Sequence, residues 1–145
     1  MATARVRATV PVAPAEVWPL VGDPRGLPRW WPRAVRVEGV DARRFTLVLR
    51  SSGGREVRAD QRVLVDERPR RRVWGLEIAG TPFERVFSAY EVEVRLEPEG
   101  DGTRVELAQR MALRGVSRLG APLAWQSARR HLRTALDALV AQLGG

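Results

Sequence analysis

Hydrophobic and polar residues alternate along most of the chain. The alternation and the intervening turns predict six strands. They cover residues 33–40, 43–51, 55–66, 70–79, 83–97 and 103–114. A further alternating run, Val6–Val12, predicts a strand near the N-terminus. Clean alternation is typical of an antiparallel sheet with one face in a core and the other in water. The predicted turns are short, so consecutive strands should be neighbours in a meander.

Two stretches depart from this alternation and have helical spacing. After the first strand, two short apolar segments between residues 14 and 32 predict two short helices. From about Ser117 onward, apolar residues fall on one helical stripe. The stripe contains Leu132, Leu136, Leu139 and Leu143. A helix of about 22–25 residues is predicted here, long enough at ~35 Å to lie across the whole sheet.

Length and composition indicate one globular domain. The chain has 145 residues, of which 44% are hydrophobic and 29% charged, and we expect a single domain over residues 1–145. Because no apolar run approaches the ~20 residues of a membrane span, we expect no integral membrane association. The N-terminal residues lead into a strand without an apolar signal core, so we expect a cytoplasmic protein.

Several residue types that carry chemistry are missing or rare. Cysteine and lysine are absent, all 25 basic residues are arginine, and His131 is the only histidine. This composition excludes thiolate nucleophiles, Schiff-base lysines and metal sites with several histidines. We therefore expect no metal site and no cofactor. A single imidazole without a placed partner is weak evidence for catalysis, and we interpret His131 as a structural or surface residue.

The net charge of +8 raises the question of an acidic partner. On the predicted strands, however, arginines alternate with acids along the outward face, and no exposed aromatics interleave as a stacking platform. The run Arg70–Arg72 falls in a turn and is interpreted as a solvated surface. We therefore predict no nucleic-acid binding, and the sequence leaves the oligomeric state open.

Nearly all carboxylates on the strands share the outward register, away from the predicted core. They are Glu38, Asp60, Asp66, Glu77, Glu91, Glu93 and Glu106. General acid–base catalysis needs groups that converge on a substrate, and no such pair is apparent. We therefore predict no catalytic residue.

A few polar residues share the inward register. They are Gln61, Arg72, Ser88, Tyr90 and Gln109. Pairing the strands through their turns predicts Gln61 opposite Phe45 and Leu76, Tyr90 opposite Met111, and Arg72 near Tyr90. A buried amide or phenol needs a hydrogen-bond partner, which the protein, water or a ligand can provide.

The order of strand, two short helices, six meandering strands and a long C-terminal helix resembles the helix-grip fold. The chain is similar to small bacterial members of the SRPBCC or START-like superfamily, of the polyketide cyclase/dehydrase and lipid-transport type. The likeness rests on Val10, Pro14, Val17, Trp18, Asp23, Trp31–Pro32, Trp74, Gly102–Thr103, Val105, Leu132, Leu136 and Leu139. It implies an α+β domain with a curved seven-stranded antiparallel sheet around the long helix and an apolar cavity between them.

Within that resemblance, we predict a ligand-binding cavity on the inner face. The predicted ligand-binding residues are Trp31, Phe45, Gln61, Arg72, Trp74, Leu76, Tyr90, Gln109, Met111, Trp125, Ala128 and Leu132. Gln61 and Gln109 are the expected orienting polar groups, and Trp74 and Trp125 the expected aromatic contacts. Of the adjacent Trp30 and Trp31, we expect one ring to reach the cavity opening.

Relatives of this shape differ in function, so three hypotheses stay open. The first is a non-catalytic binder or carrier of a small hydrophobic molecule that is lipid-like, polyketide-like or quinone-like. The second is a cyclase/aromatase-type enzyme, in which Arg72, Tyr90 or His131 assists proton transfer. The third is a module that binds a partner protein through the sheet surface. The missing inward carboxylates favour the first hypothesis.

Overall fold

The computed structural model describes residues 2–144, with the backbone only for Val116. Its strands are β1 (Ala2–Val10), β2 (Ala34–Glu38), β3 (Arg44–Arg50), β4 (Glu56–Glu67), β5 (Arg71–Leu76), β6 (Phe87–Glu99) and β7 (Gly102–Leu113). Its α-helices are α1 (Pro14–Val21) and α2 (Ala121–Gln142). Three short 3-10 helices connect them: η1 (Pro24–Arg29), η2 (Pro82–Arg85) and η3 (Gly115–Gly120).

The strands form one antiparallel sheet in the order β1-β7-β6-β5-β4-β3-β2. Strands β2 to β7 follow one another as the predicted meander, and β1 pairs with β7 at the edge. Helix α2 packs mainly on β1 and to a smaller extent on β7. This architecture confirms the predicted α+β helix-grip fold.

Helix α2 presents the predicted apolar stripe to the sheet. Its buried residues are Ala128, Leu132, Ala135, Leu136 and Leu139. The helix begins at Ala121 with a proline in its first turn, where the missing N–H leaves no hydrogen bond unmade. Its 22 residues match the predicted length of about 22–25, and residues 115–120, where the helical pattern was predicted to begin, form η3.

The connection between α1 and η1 is tight and anchors the N-terminal segment. Trp18 lies directly over Gly22, where a Cβ atom would come within 2.4 Å of the indole Nε1. Trp30 Nε1 then donates a hydrogen bond to the Leu20 carbonyl oxygen over 3.3 Å. These contacts hold the two short helices against one another. Such contacts are needed because helices of this length are not stable on their own.

A group of aromatic rings joins this segment to the sheet. The ring centroids of Trp30 and Trp31 are 5.6 Å apart, and that of Trp31 is 6.0 Å from Trp74 on β5. Phe45 on β3 lies 6.3 Å from Trp74. All of these pairs are edge-to-face, the arrangement that the aromatic quadrupole favours.

A β-bulge in β4 reverses the facing of the residues that follow it. Val63 pairs with Trp74, but Val65 pairs with Val73, so Leu64 is the extra residue. Asp66 then lies opposite Arg72, and its Oδ2 is 3.4 Å from Arg72 Nη1. The prediction that Asp66 faces outward is therefore wrong, because one inserted residue shifts the period-two alternation.

The β5–β6 connection is longer than predicted. Strand β5 ends at Leu76 and β6 begins at Phe87, whereas strands were predicted over 70–79 and 83–97. Between them, the Thr81 hydroxyl accepts a hydrogen bond from Phe83 N, and Pro82 starts η2. Arg72 consequently pairs with Val94 and not near Tyr90, which corrects that prediction.

A second bulge lies at the start of β6. Phe87 pairs with Leu113 and Ala89 with Ala112, so Ser88 is the extra residue and is exposed. The prediction that Ser88 faces inward is wrong for the same reason as for Asp66. Phe87 faces inward instead, with its ring centroid 5.2 Å from that of Tyr90.

One carboxylate is buried on the outer face of the sheet. The Glu93 side chain is 1% exposed and is surrounded by three arginines. Arg110 Nη2 donates to Oε1 over 2.6 Å, Arg95 Nη2 donates to Oε2 over 3.1 Å, and Arg71 Nε donates to the same oxygen. Burial alone would raise the pKa of this carboxyl, but the three arginines lower the pKa to about 2.

Candidate ligand-binding cavity

A cavity of about 280 Å³ lies on the inner face of the sheet. Its walls are Trp31, Leu47, Leu49, Ala59, Gln61, Trp74, Leu76, Phe83, Phe87, Tyr90 and Val92. These residues come from β3, β4, β5, β6, η2 and the segment after η1. Strand alternation explains most of this lining, because residues two apart on a strand point to the same face.

Two aromatic walls of the cavity depend on the irregular β5–β6 connection. Phe83 is presented by η2, and Phe87 is turned inward by the bulge at Ser88. The continuous strand predicted over 83–97 gave no reason to place Phe87 in the cavity. The Thr81-Pro82 pair is the one sequence signal that indicates a helical turn there.

Helix α2 does not form a wall of this cavity. Trp31 lies between the helix and the cavity. Its ring centroid is 4.8 Å from that of His131 on α2 and 6.0 Å from that of Trp74. The prediction that the cavity lies between the sheet and the C-terminal helix is therefore corrected. Because α2 covers β1 and β7, the cavity occupies the part of the inner face that α2 leaves open.

The structure brings five of the twelve predicted ligand-binding residues to the cavity wall. They are Trp31, Gln61, Trp74, Leu76 and Tyr90. Gln61 lies opposite Phe45 and Leu76, and Tyr90 lies opposite Met111, as the strand pairing predicted.

The other seven predicted residues do not line the cavity. Phe45, Gln109 and Met111 are buried in the same inner face. Ala128 and Leu132 are buried on the sheet-facing side of α2. Trp125 is 39% exposed near the start of α2, and its Nε1 donates a hydrogen bond to the Thr3 carbonyl oxygen over 2.8 Å.

Arg72, the remaining one, lies at the opposite end of the sheet. It borders an open cleft beneath the α1–η1 connection, together with Trp18, Asp23 and Asp66. The guanidinium is buried, and this burial lowers the pKa of Arg72 against the opposing influence of Asp66 and Asp23. The cleft carries three arginines and three aspartates, so it has no net charge to select an anion.

The polar groups of the cavity are few and neutral. Gln61 is 6% exposed and contributes an amide to the wall. Burial raises the pKa of the Tyr90 phenol to about 12, and the neighbouring Gln109 amide opposes that rise. Tyr90 is therefore protonated at neutral pH. Behind it, Gln109 Oε1 is buried and has no hydrogen-bond partner among the described residues.

His131 is half-buried against Trp31 and is not a wall residue of the cavity. Burial lowers the pKa of its imidazole, and Arg33 adds to that effect. Its Nε2 has no hydrogen-bond partner within residues 2–144. We therefore interpret His131 as a packing residue of the Trp31 contact.

No carboxylate is among the wall residues, and Tyr90 is the single titratable side chain there. Within residues 2–144, no group of three histidine, cysteine, aspartate or glutamate side chains is placed to hold a metal ion. The same part of the chain contains no helix long and apolar enough to cross a membrane. The chemistry of the cavity is thus that of an apolar pocket with an amide and a neutral phenol.

A model of the family described as polyketide cyclase/dehydrase and lipid transport matches residues 1–144. The chain belongs to this family. No curated protein matches it.

Several solved structures share this fold. A START superfamily protein from Mycobacterium smegmatis has a TM-score of 0.78 at 14% identity, with 98% of this chain and 97% of that one covered. TTHA0849 from Thermus thermophilus has a TM-score of 0.73 at 25% identity, covering 98% and 97%. The di-domain ARO/CYC BexL from the BE-7585A biosynthetic pathway has a TM-score of 0.79 at 23% identity, covering 97% of this chain and 46% of BexL.

Proposed function

We propose that the protein binds a small hydrophobic ligand in this cavity and does not transform it. The observation that carries the proposal is an apolar cavity whose wall contains no carboxylate and whose one titratable group is a protonated phenol. Such a wall can bind and orient a ligand through Gln61 and Tyr90. It offers no base for proton transfer at neutral pH.

The size of the cavity limits the class of ligand. Its volume of about 280 Å³ is close to the lower end of the ~300–1,000 Å³ that ligand pockets occupy. A compact ring system fits such a space better than a long extended acyl chain does. Four tryptophan and phenylalanine side chains line the cavity, and they favour flat aromatic or quinone-like rings by stacking. They are Trp31, Trp74, Phe83 and Phe87.

The two alternative functions have less support from the arrangement of residues. For a cyclase, two of the three expected proton-transfer residues are absent from the wall, since Arg72 borders the distant cleft and His131 lies behind Trp31. For a partner-binding sheet surface, the outer face near Glu93 already satisfies its own charges with arginines. Both observations favour binding without catalysis.

A cavity-filling substitution tests the proposal. Ala59 is a small wall residue, so Ala59→Phe should fill part of the cavity and weaken binding of the apolar dye Nile red at least about tenfold. Ala141→Phe adds the same bulk on the exposed side of α2 and is the matched control, with binding unchanged. Quenching of tryptophan fluorescence should accompany binding, because Trp31 and Trp74 edge the cavity.

Two results contradict the proposal. The first is that the parent protein binds neither Nile red nor a quinone probe. The second is that Ala59→Phe, shown to be folded by circular dichroism, binds the dye as tightly as Ala141→Phe does. Native mass spectrometry of the purified protein provides an independent measurement, since a retained ligand would appear as a mass increment that Ala59→Phe lacks.

A further inference from the structure

Exposed apolar side chains are concentrated at one end of the molecule. In the described part of the chain, six large hydrophobic side chains are exposed, and four of them belong to residues 86–125. These four are Val86, Leu119, Leu123 and Trp125. Leu119 is 86% exposed and Leu123 is 71% exposed. At such exposures, burial of the leucine side chain contributes almost nothing to the stability of the fold. We call this set the apolar end.

Hydrogen bonds and chain connectivity place the members of the apolar end at the same end of the sheet. Val86 precedes β6, and its carbonyl oxygen accepts a hydrogen bond from Arg114 N over 2.8 Å, which joins it to the start of η3. Leu119 and Leu123 follow in η3 and the first turn of α2. Trp125 Nε1 donates to the Thr3 carbonyl oxygen, and Thr3 pairs with Arg110 near the end of β7.

The cavity lies at the same end of the sheet. Phe83 of η2 and Phe87 at the start of β6 form two of its walls, and they flank Val86 on both sides in sequence. Arg114 Nε also donates a hydrogen bond to the Phe87 carbonyl oxygen over 3.1 Å. The apolar end and the cavity wall thus lie at the same end of the sheet.

The charges around the apolar end are almost all positive. Residues 107–128 contain three arginines and no acidic residue, and one of the three, Arg110, is paired with Glu93. Arg85, Arg114 and Arg118 are exposed there, and none of them forms a salt bridge with another described residue. The acid of η2, Glu84, accepts a hydrogen bond from Gly80 N. On the sheet, by contrast, many arginines are paired with acids, as Arg36 is with Glu38.

We propose that the apolar end docks on a lipid bilayer that contains anionic phospholipids. Exposed leucine and tryptophan side chains rimmed by arginines match the interface of such a bilayer, with apolar groups below the headgroups and guanidinium groups at the phosphates. A second copy of the chain fits this surface less well, because its own arginines would face those of the first. Docking in this orientation brings the cavity region to the membrane. A ligand could then pass between the bilayer and the cavity. That exchange rests on the proposed function, whereas the docking does not.

Vesicle flotation tests the docking with the intact protein. We expect binding to vesicles of phosphatidylcholine with about 30 mol% phosphatidylserine, weaker binding to phosphatidylcholine alone, and release by added salt. The double variant Leu119→Ser with Leu123→Ser should lose at least about tenfold in partition coefficient. Its matched control is Leu64→Ser, which removes an exposed leucine from the outer face of the sheet. Arg118→Glu should weaken binding only to the anionic vesicles, and its matched control is Arg43→Glu at the β2–β3 turn.

Three outcomes overturn the docking. They are no binding of the parent protein to anionic vesicles, equal binding by the double leucine variant, and a concentration-dependent dimer that the double variant abolishes. Nile red titration of the same variants without vesicles separates the two proposals. A parent protein that binds vesicles but no dye contradicts the proposed ligand-binding function and leaves the docking supported.

Discussion

Replacing the buried carboxylate of Glu93 should destabilise the fold strongly and in a pH-dependent way. The Glu93→Gln variant keeps the shape of the side chain but removes its negative charge. Three guanidinium groups, those of Arg71, Arg95 and Arg110, would then lose the counter-ion that they share, while Arg71 would keep its exposed pairing with Glu67. Unpaired charges that are buried or half-buried destabilise a fold by more than the original ion pair stabilised it.

The pKa of Glu93 sets the magnitude. It is lowered from 4.5 to about 2 in the folded protein, and one pKa unit corresponds to ~1.4 kcal/mol. The carboxylate therefore contributes on the order of 3 kcal/mol to the free energy of unfolding at neutral pH. The three arginines are 24–44% exposed, and solvent screening places the expected loss in Glu93→Gln at roughly 2–4 kcal/mol.

The sign of the pH dependence follows from the direction of the shift. Because the folded-state pKa of Glu93 is lower than the unfolded value, its contribution is fully present above pH 4.5 and is lost as the pH falls toward 2. The glutamine variant has no such group. The difference in unfolding free energy between parent and variant should therefore be largest at pH 7 and shrink between pH 4.5 and 2.

Urea unfolding followed by tryptophan fluorescence, at a series of pH values, measures this difference. The matched control is Glu97→Gln on the same strand and face, whose ion pair with Arg104 is 47% and 40% exposed; its loss should stay below about 1 kcal/mol. Equal losses for the two variants at pH 7 would refute the reasoning. A Glu93→Gln difference that stays constant from pH 7 to pH 2.5 would refute it as well.

Two further substitutions test the packing. Gly22→Ala should destabilise the protein by about 1–3 kcal/mol in thermal unfolding, because its Cβ would lie 2.4 Å from Trp18 Nε1; an unchanged melting temperature would show that the indole moves freely. Ala128→Trp should destabilise the protein by a similar ~1–3 kcal/mol, since Ala128 is buried on the sheet-facing side of α2. Dye binding by the folded fraction should persist in Ala128→Trp, whereas a selective loss of binding would place Ala128 at the site.

The sequence alone determined the architecture and the inner face of the sheet. Period-two alternation is a local property, so the strand count, the antiparallel meander and the stripe Leu132–Leu136–Leu139 on α2 were all predictable. Short turns also fixed the cross-strand neighbours of Gln61 on β3 and β5 and the neighbour of Tyr90 on β7. The five predicted residues that reach the cavity wall are inward-facing residues of regular strands, apart from Trp31.

Tertiary structure decided where the cavity lies and which other residues form it. The bulges at Leu64 and Ser88 each insert one residue, and the pattern of hydrophobic and polar residues does not reveal the insertion. Each bulge reverses the face to which the neighbouring residues point. Phe87 is thereby brought into the cavity wall, and Asp66 is brought opposite Arg72. An amphipathic stripe shows that α2 packs on a sheet, but not on which strands. Helix α2 packs on β1 and β7, so the cavity lies beside the helix, with Trp31 as the wall on that side. How much of the sheet one helix covers depends on the packed tertiary structure, which the local sequence pattern does not contain.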